Sequence, residues 1–593
     1  MANKLAGVAN LSIRPSFRFA GVLVSLVVVA ASLLLWRSNA PPASPVESSA
    51  PARGGQLTAG LRTDPKSFNS LVVSDESSVI VSSLLQARLV RINRTTFELE
   101  PWLAEKWDMT PDGRTYTLHL RPGLTWSDGT PLTSADVLFT VKAARDKGVE
   151  SPLADTLTVA GAPIDVSAPD ERTVVLTFAT PSGLGLRLLD AMPILPRHKL
   201  EAALTSGTLR NTWQTTVTPA EIVGAGPFVL TSYEPGQRLV LSRNERYWRQ
   251  APDGTALPYV DRLILEIVPE QNAGMLRLEA GTLDMLQSEL RPDDYVAARR
   301  AEEKGALKVI ELGVGTDPDA FWFCLKPEAR KNDPRFAFVQ KREFRQALSH
   351  AMDREEFART VYFDEAVPIW GPVTPGNKVW FTPNLPRYAP DVEKAKSLLR
   401  AIGLEDRDGN GVVEAADGTE ARFTVLTQSG VSSYERGTML LKDRAALIGV
   451  ALDIAPMEGG AMIQRMLASD YDAIYMRVLL TDLDPAGNMD LWLSSGQSHF
   501  WNLAQQTPAT DWERQIDTLM HEQASTVDPA RRRALFDDVQ RIFAENLPVL
   551  YFAAPRLFYA HSTRVTGVTP SVLRPPVLWN ADGLGVTGPA RAN

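Results

Sequence analysis

The amino-acid sequence predicts an α/β protein with more than one lobe. The chain has 593 residues, which is long enough for several lobes and a large hydrophobic core. Polar and apolar residues alternate in Thr115–Leu120 and again in Thr173–Phe178, which is the pattern of half-buried strands. Val137, Leu138 and Val141 follow one another at helical spacing instead. Because both patterns are present, strands and helices are expected to pack together.

The segment Asp112–Asp146 predicts a strand with a turn on each side, followed by a helix. Asp112-Gly113 is typical of a hairpin turn, and Asp128-Gly129 predicts a second turn after the strand. Thr133 is a candidate helix N-cap, and Asp136 three residues later completes an approximate capping box. No residue of this unit has a pattern typical of catalysis, so it is expected to be scaffold.

The charge of the chain limits its partners. The formal net charge is −8, and the first forty residues contribute only positive charges, from Lys4, Arg14, Arg18 and Arg37. The remainder of the chain is therefore more acidic than the total suggests. An acidic body does not favour nucleic acid or an anionic membrane surface as a partner.

The N-terminal apolar run Phe19–Trp36 predicts a membrane helix. The run is near the lower length limit for a spanning helix, and the basic residues before it place the body of the chain outside the cytoplasm. The alternative is a cleaved signal peptide, with Ser38-Asn39-Ala40 as the small residues before the cut, although Pro41 disfavours cleavage there. We expect an uncleaved anchor on the extracytoplasmic face of the inner membrane. Pro41–Pro51 is expected to be a flexible tether.

The sequence gives no positive case for an enzyme. Its six histidines are scattered without zinc-site spacing, and there is neither a G-x-S-x-G elbow nor a P-loop. The single cysteine, Cys324, lies in an apolar run, where a buried structural thiol is expected. We therefore expect no catalytic residues.

One acidic segment has the residue pattern of a calcium loop. Oxygen-bearing side chains occupy positions 1, 3, 5, 9 and 12 of a twelve-residue stretch with glycine at position 6. The last position holds aspartate instead of the usual bidentate glutamate. A solvated acidic turn is the alternative, and no other cofactor is expected. The candidate ligands are Asp406, Asp408, Asn410, Glu414 and Asp417.

Several blocks of the sequence resemble one known family. Asp112–Val137 is similar to a block found in the extracellular solute-binding proteins of family 5. That block begins with the pattern DG-x-x-Y-T-F-x-L-R-x-G and continues with W or F, DG, P and D-V at fixed positions. That family includes the oligopeptide- and dipeptide-binding proteins of ABC importers. Gly224–Trp248 resembles its GP, PG and RN-x-x-YW block, and Phe344–Arg354 resembles its R-Q-A-x-x-x-A-x-D-R helix. The resemblance covers residues 54 to 580.

The resemblance implies a bilobal periplasmic-binding-protein-like fold of type II. Within this fold, the large class that binds peptides has an extra subdomain, which is expected here too. The predicted membrane helix is expected to precede the fold. The implied divisions are an anchor or signal with linker at 1–53; lobe I at 54–100, 220–315 and 556–593; the extra subdomain at 101–219; and lobe II at 316–555.

Three ligand-binding residues follow from the resemblance. Thr481–Pro485 is similar to the family's D-x-x-D-P segment, in which an aspartate holds the α-ammonium group of a bound peptide, although the spacing here is one residue shorter. Asp482 is the first candidate and Asp484 the second; the alternative is that Asp482 caps a turn. Trp322 lies where the chain crosses between lobes, on the strand face opposite Phe321 and Phe323. It either faces the cleft or packs in the core.

The function implied is capture of extracytoplasmic peptides by a monomeric receptor that delivers them to an ABC permease driven by ATPase subunits. The same fold carries other solutes, so an oligosaccharide, a nickel complex or an opine stays open as the ligand. An anchored sensor or scaffold that does not transport is the alternative of a different class.

Overall fold

The computed structural model of the protein describes residues 53–159, 161–478 and 482–587. The predicted membrane helix Phe19–Trp36 and the tether Pro41–Pro51 lie outside these residues. Within the described ranges, no helix has both the length and the apolar character needed to cross a membrane.

A mixed sheet of four strands forms the centre of the first lobe. Its first pair of strands is parallel and the other two pairs are antiparallel. Two of its strands form a hairpin around Pro235-Gly236, because the strands that flank this turn pair with each other in antiparallel fashion. In spatial order the strands are Gln56–Leu61, Arg262–Ile267, Arg238–Arg243 and Phe228–Glu234.

An antiparallel sheet of four strands packs into the same hydrophobic core. The predicted strand Thr115–Leu120 has the expected bounds and buries alternate residues. The capping box is also confirmed, since the Asp136 carboxylate accepts the Thr133 backbone N–H at 2.9 Å and helix Ser134–Arg145 begins there. In spatial order the strands are Ala104–Met109, Thr115–Leu120, Thr173–Thr177 and Asp165–Asp170.

The second lobe contains a five-stranded sheet with a hydrophobic core on each face. Phe321 and Phe323 lie in one core and Trp322 lies in the other, as the period of two predicts. In spatial order the strands are Ala451–Met457, Arg422–Gln428, Ala473–Arg477, Asp319–Phe323 and Leu550–Tyr551.

Two crossings connect the lobes. Residues 57–312 and 558–586 contribute to the core of lobe I, whereas residues 314–554 contribute to the two cores of lobe II. The chain therefore passes between lobes near Val314 and again within the strand Ala553–Ser562. This strand is central in a three-stranded sheet, in the order Leu307–Val314, Ala553–Ser562 and Ala366–Pro368. The exact domain divisions given above remain a prediction.

Short strand pairs and helices complete both lobes. The pairs are Ala87–Arg88 with Pro193–Ile194, Val90–Ile92 with Leu99–Pro101, Thr158–Val159 with Ala162–Pro163, and Val565–Thr566 with Gly585–Val586. The α-helices of lobe I are Glu76–Leu85, Ser134–Arg145, Leu153–Thr156, Arg197–Thr205, Gln271–Glu279 and Pro292–Glu303. Those of lobe II are Pro327–Arg330, Phe336–Val339, Arg342–Ala351, Arg354–Tyr362, Val392–Ala401, Ser432–Ala446, Gly459–Leu467, Met489–Trp492, Asp511–Ser525 and Pro529–Asn546. The 3-10 helices are Gly185–Ala191, Leu209–Asn211, Pro219–Glu221, Pro485–Asn488 and Leu578–Gly583.

Candidate functional site

A cavity of about 1030 Å³ lies between the two lobes. Its volume is at the upper end of the range of roughly 300–1,000 Å³ that is typical of small-molecule sites. The crossing segments close one side, with Gly315, Thr316, Asp317, Pro555 and Leu557 among the lining residues. Because both lobes and both crossings line this cavity, a change in the angle between lobes would open or close it.

The loop that carries Asp482 forms part of the lobe II wall. Asp482 is half-buried and lines the cavity, and its Oδ1 accepts the Asp484 N–H at 2.8 Å. Asn488 fixes the loop from behind by donating its side-chain amide to the Asp482 carbonyl at 2.7 Å. Burial raises the pKa of the Asp482 carboxyl, and the Asp484 N–H and Arg187 oppose this shift. Among the described residues Asp482 has no ion-pair partner, so its carboxylate can receive a cation from the cavity.

Asp484 has a different position. Its side chain is 3% exposed and forms a bidentate ion pair with Arg532, at 2.5 Å and 2.9 Å. It also caps the short helix Pro485–Asn488 by accepting the Ala486 N–H. Asp484 therefore holds the loop in place and is not available to a ligand in the cavity.

Trp322 lies in a hydrophobic core of lobe II and does not line the cavity. It is 1% exposed, and its Nε1–H donates to the Tyr471 hydroxyl at 3.1 Å. Its ring stacks on Phe500. Of the two alternatives for Trp322, the structure favours packing in the core, because helices cover both faces of the sheet.

Among the described residues, arginine side chains that form no direct ion pair line the cavity, and sequence reasoning missed them. Within the described part of the chain, Arg94 of lobe I and Arg477 of lobe II form no ion pair, whereas Arg574 beside them is paired with Glu289. Burial lowers the pKa of Arg94 to about 10, so it remains a cation at neutral pH. Arg94 and Arg477 belong to no recognisable motif, and only the fold brings them to one cavity.

Arg187 is a further arginine that lines the cavity, on the lobe I side. Its Nη1 donates to the Phe97 carbonyl at 2.9 Å, while its Nε is buried without a hydrogen-bond partner among the described residues. A buried guanidinium N–H that makes no hydrogen bond is unfavourable. The lobe I wall thus also has donor capacity to offer a ligand.

A buried acid lies behind the cavity, at the start of the first strand after the crossing. Asp319 accepts hydrogen bonds from Tyr362 at 2.6 Å and from Tyr475 at 3.0 Å. Burial raises the pKa of Asp319 to about 6, although these hydroxyls and the nearby Arg477 charge oppose the shift. Asp319 is not among the lining residues of the cavity, but its carboxyl interacts electrostatically with Arg477, which does line it.

Among the described residues, hydrogen bonds also join the lobes directly in two places. The Gly183 N–H donates to the Ala524 carbonyl at 2.7 Å, and Arg532 donates to the Gly183 carbonyl at 2.6 Å. Elsewhere, Asp293 of lobe I contacts Ser432 and lies 3.2 Å from the Arg436 guanidinium of lobe II. These contacts hold the lobes together around the cavity.

The predicted calcium loop lies outside this cavity. Asp406, Asp408 and Glu414 each bring one oxygen to a common point, within 4.8 Å of one another. Asp417 is not part of this group, because its carboxylate accepts the Thr419 N–H in the following turn. Asn410 lies beside the group and donates its side-chain amide to Asp408 at 3.0 Å.

Comparison with known proteins places these features in context. The family model described as bacterial extracellular solute-binding proteins, family 5 (middle), matches residues 98–500. The chain is 25% identical to a probable ABC transporter-binding protein of Deinococcus radiodurans, and the alignment covers 90% of this chain and 91% of that protein. The similarity therefore extends over nearly the whole length of both proteins.

Solved structures with the same architecture are also known. The ABC transporter substrate-binding protein CtaP of Listeria monocytogenes superposes with a TM-score of 0.74 and 25% identity, covering 90% of this chain and all of that chain. The oligopeptide-binding protein AppA of Bacillus subtilis, solved with a nonapeptide, gives a TM-score of 0.67 and 24% identity, with coverage of 91% and 100%. Both have the bilobal α/β fold described above.

Proposed function

The chain belongs to family 5 of the bacterial extracellular solute-binding proteins and serves as the substrate-binding component of an ABC importer, and we propose that its substrate is a peptide held in the cavity between the lobes. The permease and ATPase subunits that receive the peptide would be other chains. The observation that carries this proposal is that one cavity is lined by an acid, Asp482, and by two arginines, Arg94 and Arg477, none of which forms an ion pair with another described residue.

An extended peptide has charges that are complementary to those of this cavity. Its α-ammonium group can bind the Asp482 carboxylate, which has no ion-pair partner among the described residues. Its α-carboxylate can bind Arg94 or Arg477. Hydrogen bonds between two ionised groups are roughly twice as strong as neutral ones, and a guanidinium can bind a carboxylate through two of them.

The raised pKa of Asp482 is consistent with this role. Burial disfavours the charged carboxylate in the free protein. An ammonium group that enters the cavity supplies the opposite charge and stabilises the ionised form. Binding of a free-amine peptide is therefore expected to lower the pKa of Asp482.

Closure of the lobes would complete the site. The Gly183–Ala524 and Asp293–Arg436 contacts join the lobes directly, so they favour the closed arrangement. Water is excluded from a closed cleft, and charge pairs between ligand and wall are stronger there than in bulk solvent. Opening at the two crossings would then release the peptide unchanged to the permease.

We also propose that Phe19–Trp36 anchors the receptor in the membrane. The proposal rests on the apolar run and the basic residues that precede it. An anchored protein would remain in the membrane fraction after carbonate washing, and its intact mass would include the N-terminal run. A mature mass that begins after Ala40, with all protein in the soluble fraction, would instead indicate a cleaved signal.

Mass spectrometry of the purified protein tests the ligand class. Native spectra before and after gentle denaturation should reveal released peptides with free termini. Recovery of an oligosaccharide, a nickel complex or an opine as the released solute would contradict the peptide proposal while leaving the binding role intact.

A further inference from the structure

The acidic segment of lobe II forms a compact loop away from the cavity. It follows helix Val392–Ala401 and precedes strand Arg422–Gln428, and it folds back on itself through bridges from Glu414 to Glu405 and to Glu420. None of these residues lines the cavity between the lobes. Whatever this loop binds is therefore separate from the transported solute.

Three carboxylates converge in this loop. One oxygen each from Asp406, Asp408 and Glu414 lies within 4.8 Å of the others. Calcium binds oxygens at about 2.3–2.6 Å, so ligands on opposite sides of the ion are separated by roughly 4.6–5.2 Å. The group thus has the dimensions of a calcium coordination shell. Among the described residues, no Lys, Arg or His forms an ion pair with any of the three.

Glu414 provides independent evidence for a ligand. The residue is only 6% exposed. Its Oε1 accepts the Arg407 N–H at 2.7 Å, but its Oε2 is buried and accepts no hydrogen bond from the described residues. An unpartnered carboxylate oxygen in the interior is unfavourable, and the cost is larger for a charged group. A bound cation would satisfy this oxygen and neutralise the mutual repulsion of the three acids.

The loop backbone is already arranged around this group. Asp406 accepts the N–H groups of Gly409 at 2.8 Å and Gly411 at 3.1 Å. Both glycines have positive φ, at 78° and 86°, which other residues adopt only with strain. The glycines allow the backbone to curl round the Asp406 carboxylate, so little ordering would be needed on binding.

We propose that Asp406, Asp408 and Glu414 bind a divalent cation, with calcium preferred. All three ligands are oxygens, which suits calcium or magnesium and disfavours zinc. Calcium accepts six to eight oxygens in irregular geometry, with waters and carbonyls completing the shell, whereas magnesium demands a near-ideal octahedron. The sequence pattern assigns a carboxylate ligand to the twelfth residue of the loop, Asp417. In the proposed site, Glu414 at the ninth position supplies this carboxylate instead.

The expected consequence is stabilisation of lobe II. An ion that binds the folded loop and not the unfolded chain raises the free energy of unfolding by RT ln(1 + [Ca²⁺]/Kd), so the midpoint of unfolding rises with the calcium concentration. The loop joins a helix to a strand of the central sheet of lobe II, so ordering it restrains both elements. Solute binding in the cavity should change little.

Thermal unfolding and calorimetric titration test the proposal. Full-length protein stripped with EDTA and dialysed is titrated with CaCl₂ and, separately, with MgCl₂. We expect calcium to raise the Tm, with a smaller shift for magnesium. Asp408→Asn, at an exposed position, and Glu414→Gln should both abolish the rise in Tm that calcium causes. Asp417→Asn, which alters an acid of the same segment outside the group, should retain it.

Two results would overturn the proposal. One is a wild-type protein whose Tm and titration heat do not respond to calcium. The other is a calcium shift that persists in both Asp408→Asn and Glu414→Gln, because the ion would then bind elsewhere. If Glu414→Gln fails to fold, Asp406→Asn replaces it, since Asp406 is on the surface.

Discussion

Arg532 and Asp484 form a buried bidentate ion pair that ties helix Pro529–Asn546 to the loop bearing Asp482. The two oxygen–nitrogen distances are 2.5 Å and 2.9 Å, and the side chains are 7% and 3% exposed. The same guanidinium donates to the Gly183 carbonyl of lobe I at 2.6 Å. Arg532 therefore fixes one wall of the cavity and contacts the opposite lobe as well.

Replacement of Arg532 by methionine should strongly destabilise the protein. The change leaves Asp484 buried without a partner, and breaking such a pair from one side typically costs about 3–5 kcal/mol. Denaturant unfolding measures this loss. The neighbouring variant Arg531→Met is the control, because its partner Glu522 is exposed and such pairs contribute at most about 1 kcal/mol. Equal losses in the two variants would contradict the role assigned to Arg532.

Loss of the Asp293 contacts should favour an open arrangement of the lobes. Asp293→Ala removes the contacts to Ser432 and Arg436. These groups are partly exposed, so we expect a shift of about 0.5–1 kcal/mol, or roughly two- to fivefold, toward open molecules. Small-angle X-ray scattering without solute should detect a larger radius of gyration. Asp294→Asn is the control, since Asp294 pairs with Arg291 of its own lobe. Identical scattering from Asp293→Ala and wild type would show that the Asp293 contacts do not stabilise the closed arrangement.

The buried acid Asp319 should give the stability a specific pH dependence. Its pKa is about 6 in the folded protein, against an ordinary value of 3.8. Between these values the folded state binds more protons than the unfolded state. The stability that Asp319 contributes is therefore fully present below about pH 4 and is lost as the pH rises through 6.

The variant Asp319→Asn tests this assignment. Free energies of unfolding are measured from pH 4 to pH 7, and the wild-type value relative to the variant should fall as the pH rises. Asp443→Asn, at an exposed position of helix Ser432–Ala446, should show no such trend. A constant difference between wild type and Asp319→Asn across this range would show that Asp319 does not titrate there.

The arginines of the cavity should distinguish free from amidated peptide C-termini. Arg94→Met or Arg477→Met removes a candidate partner of the ligand carboxylate. A hydrogen bond to a charged group contributes about 1.5–3 kcal/mol, so affinity for the free acid should fall roughly ten- to a hundredfold. Affinity for the C-terminal amide should change much less. If both variants lose affinity equally for acid and amide, neither arginine binds the carboxylate.

Local features of the fold could be predicted well from the sequence. The strand Thr115–Leu120 has its own alternation, and the Thr133–Asp136 capping box involves neighbours in the chain. The membership in solute-binding family 5, predicted from blocks of this kind, is confirmed by the match over residues 98–500. Such features depend on contacts within a few residues, which the sequence displays directly.

The residues that line the cavity could be identified only from the tertiary structure. Alternation showed that Trp322 opposes Phe321, but hydrophobic core covers the sheet on both faces at this strand, so Trp322 does not line the cavity. Asp484 and Arg532 are far apart in sequence, and no local pattern predicts their pairing. Arg94 and Arg477 likewise line one cavity only because the two lobes fold against each other.

The central claim is that a peptide binds between the lobes with its α-ammonium group on Asp482. Isothermal titration calorimetry tests this claim most directly. Wild type, Asp482→Asn and the surface control Asp443→Asn are each titrated with one co-purified peptide, in its free-amine and its N-acetylated form. We expect Asp482→Asn to lower the affinity for the free-amine peptide at least about tenfold, because a hydrogen bond to a charged group is lost. The affinity for the acetylated peptide should change little. Equal weakening of both forms, or no weakening of either, would contradict the account.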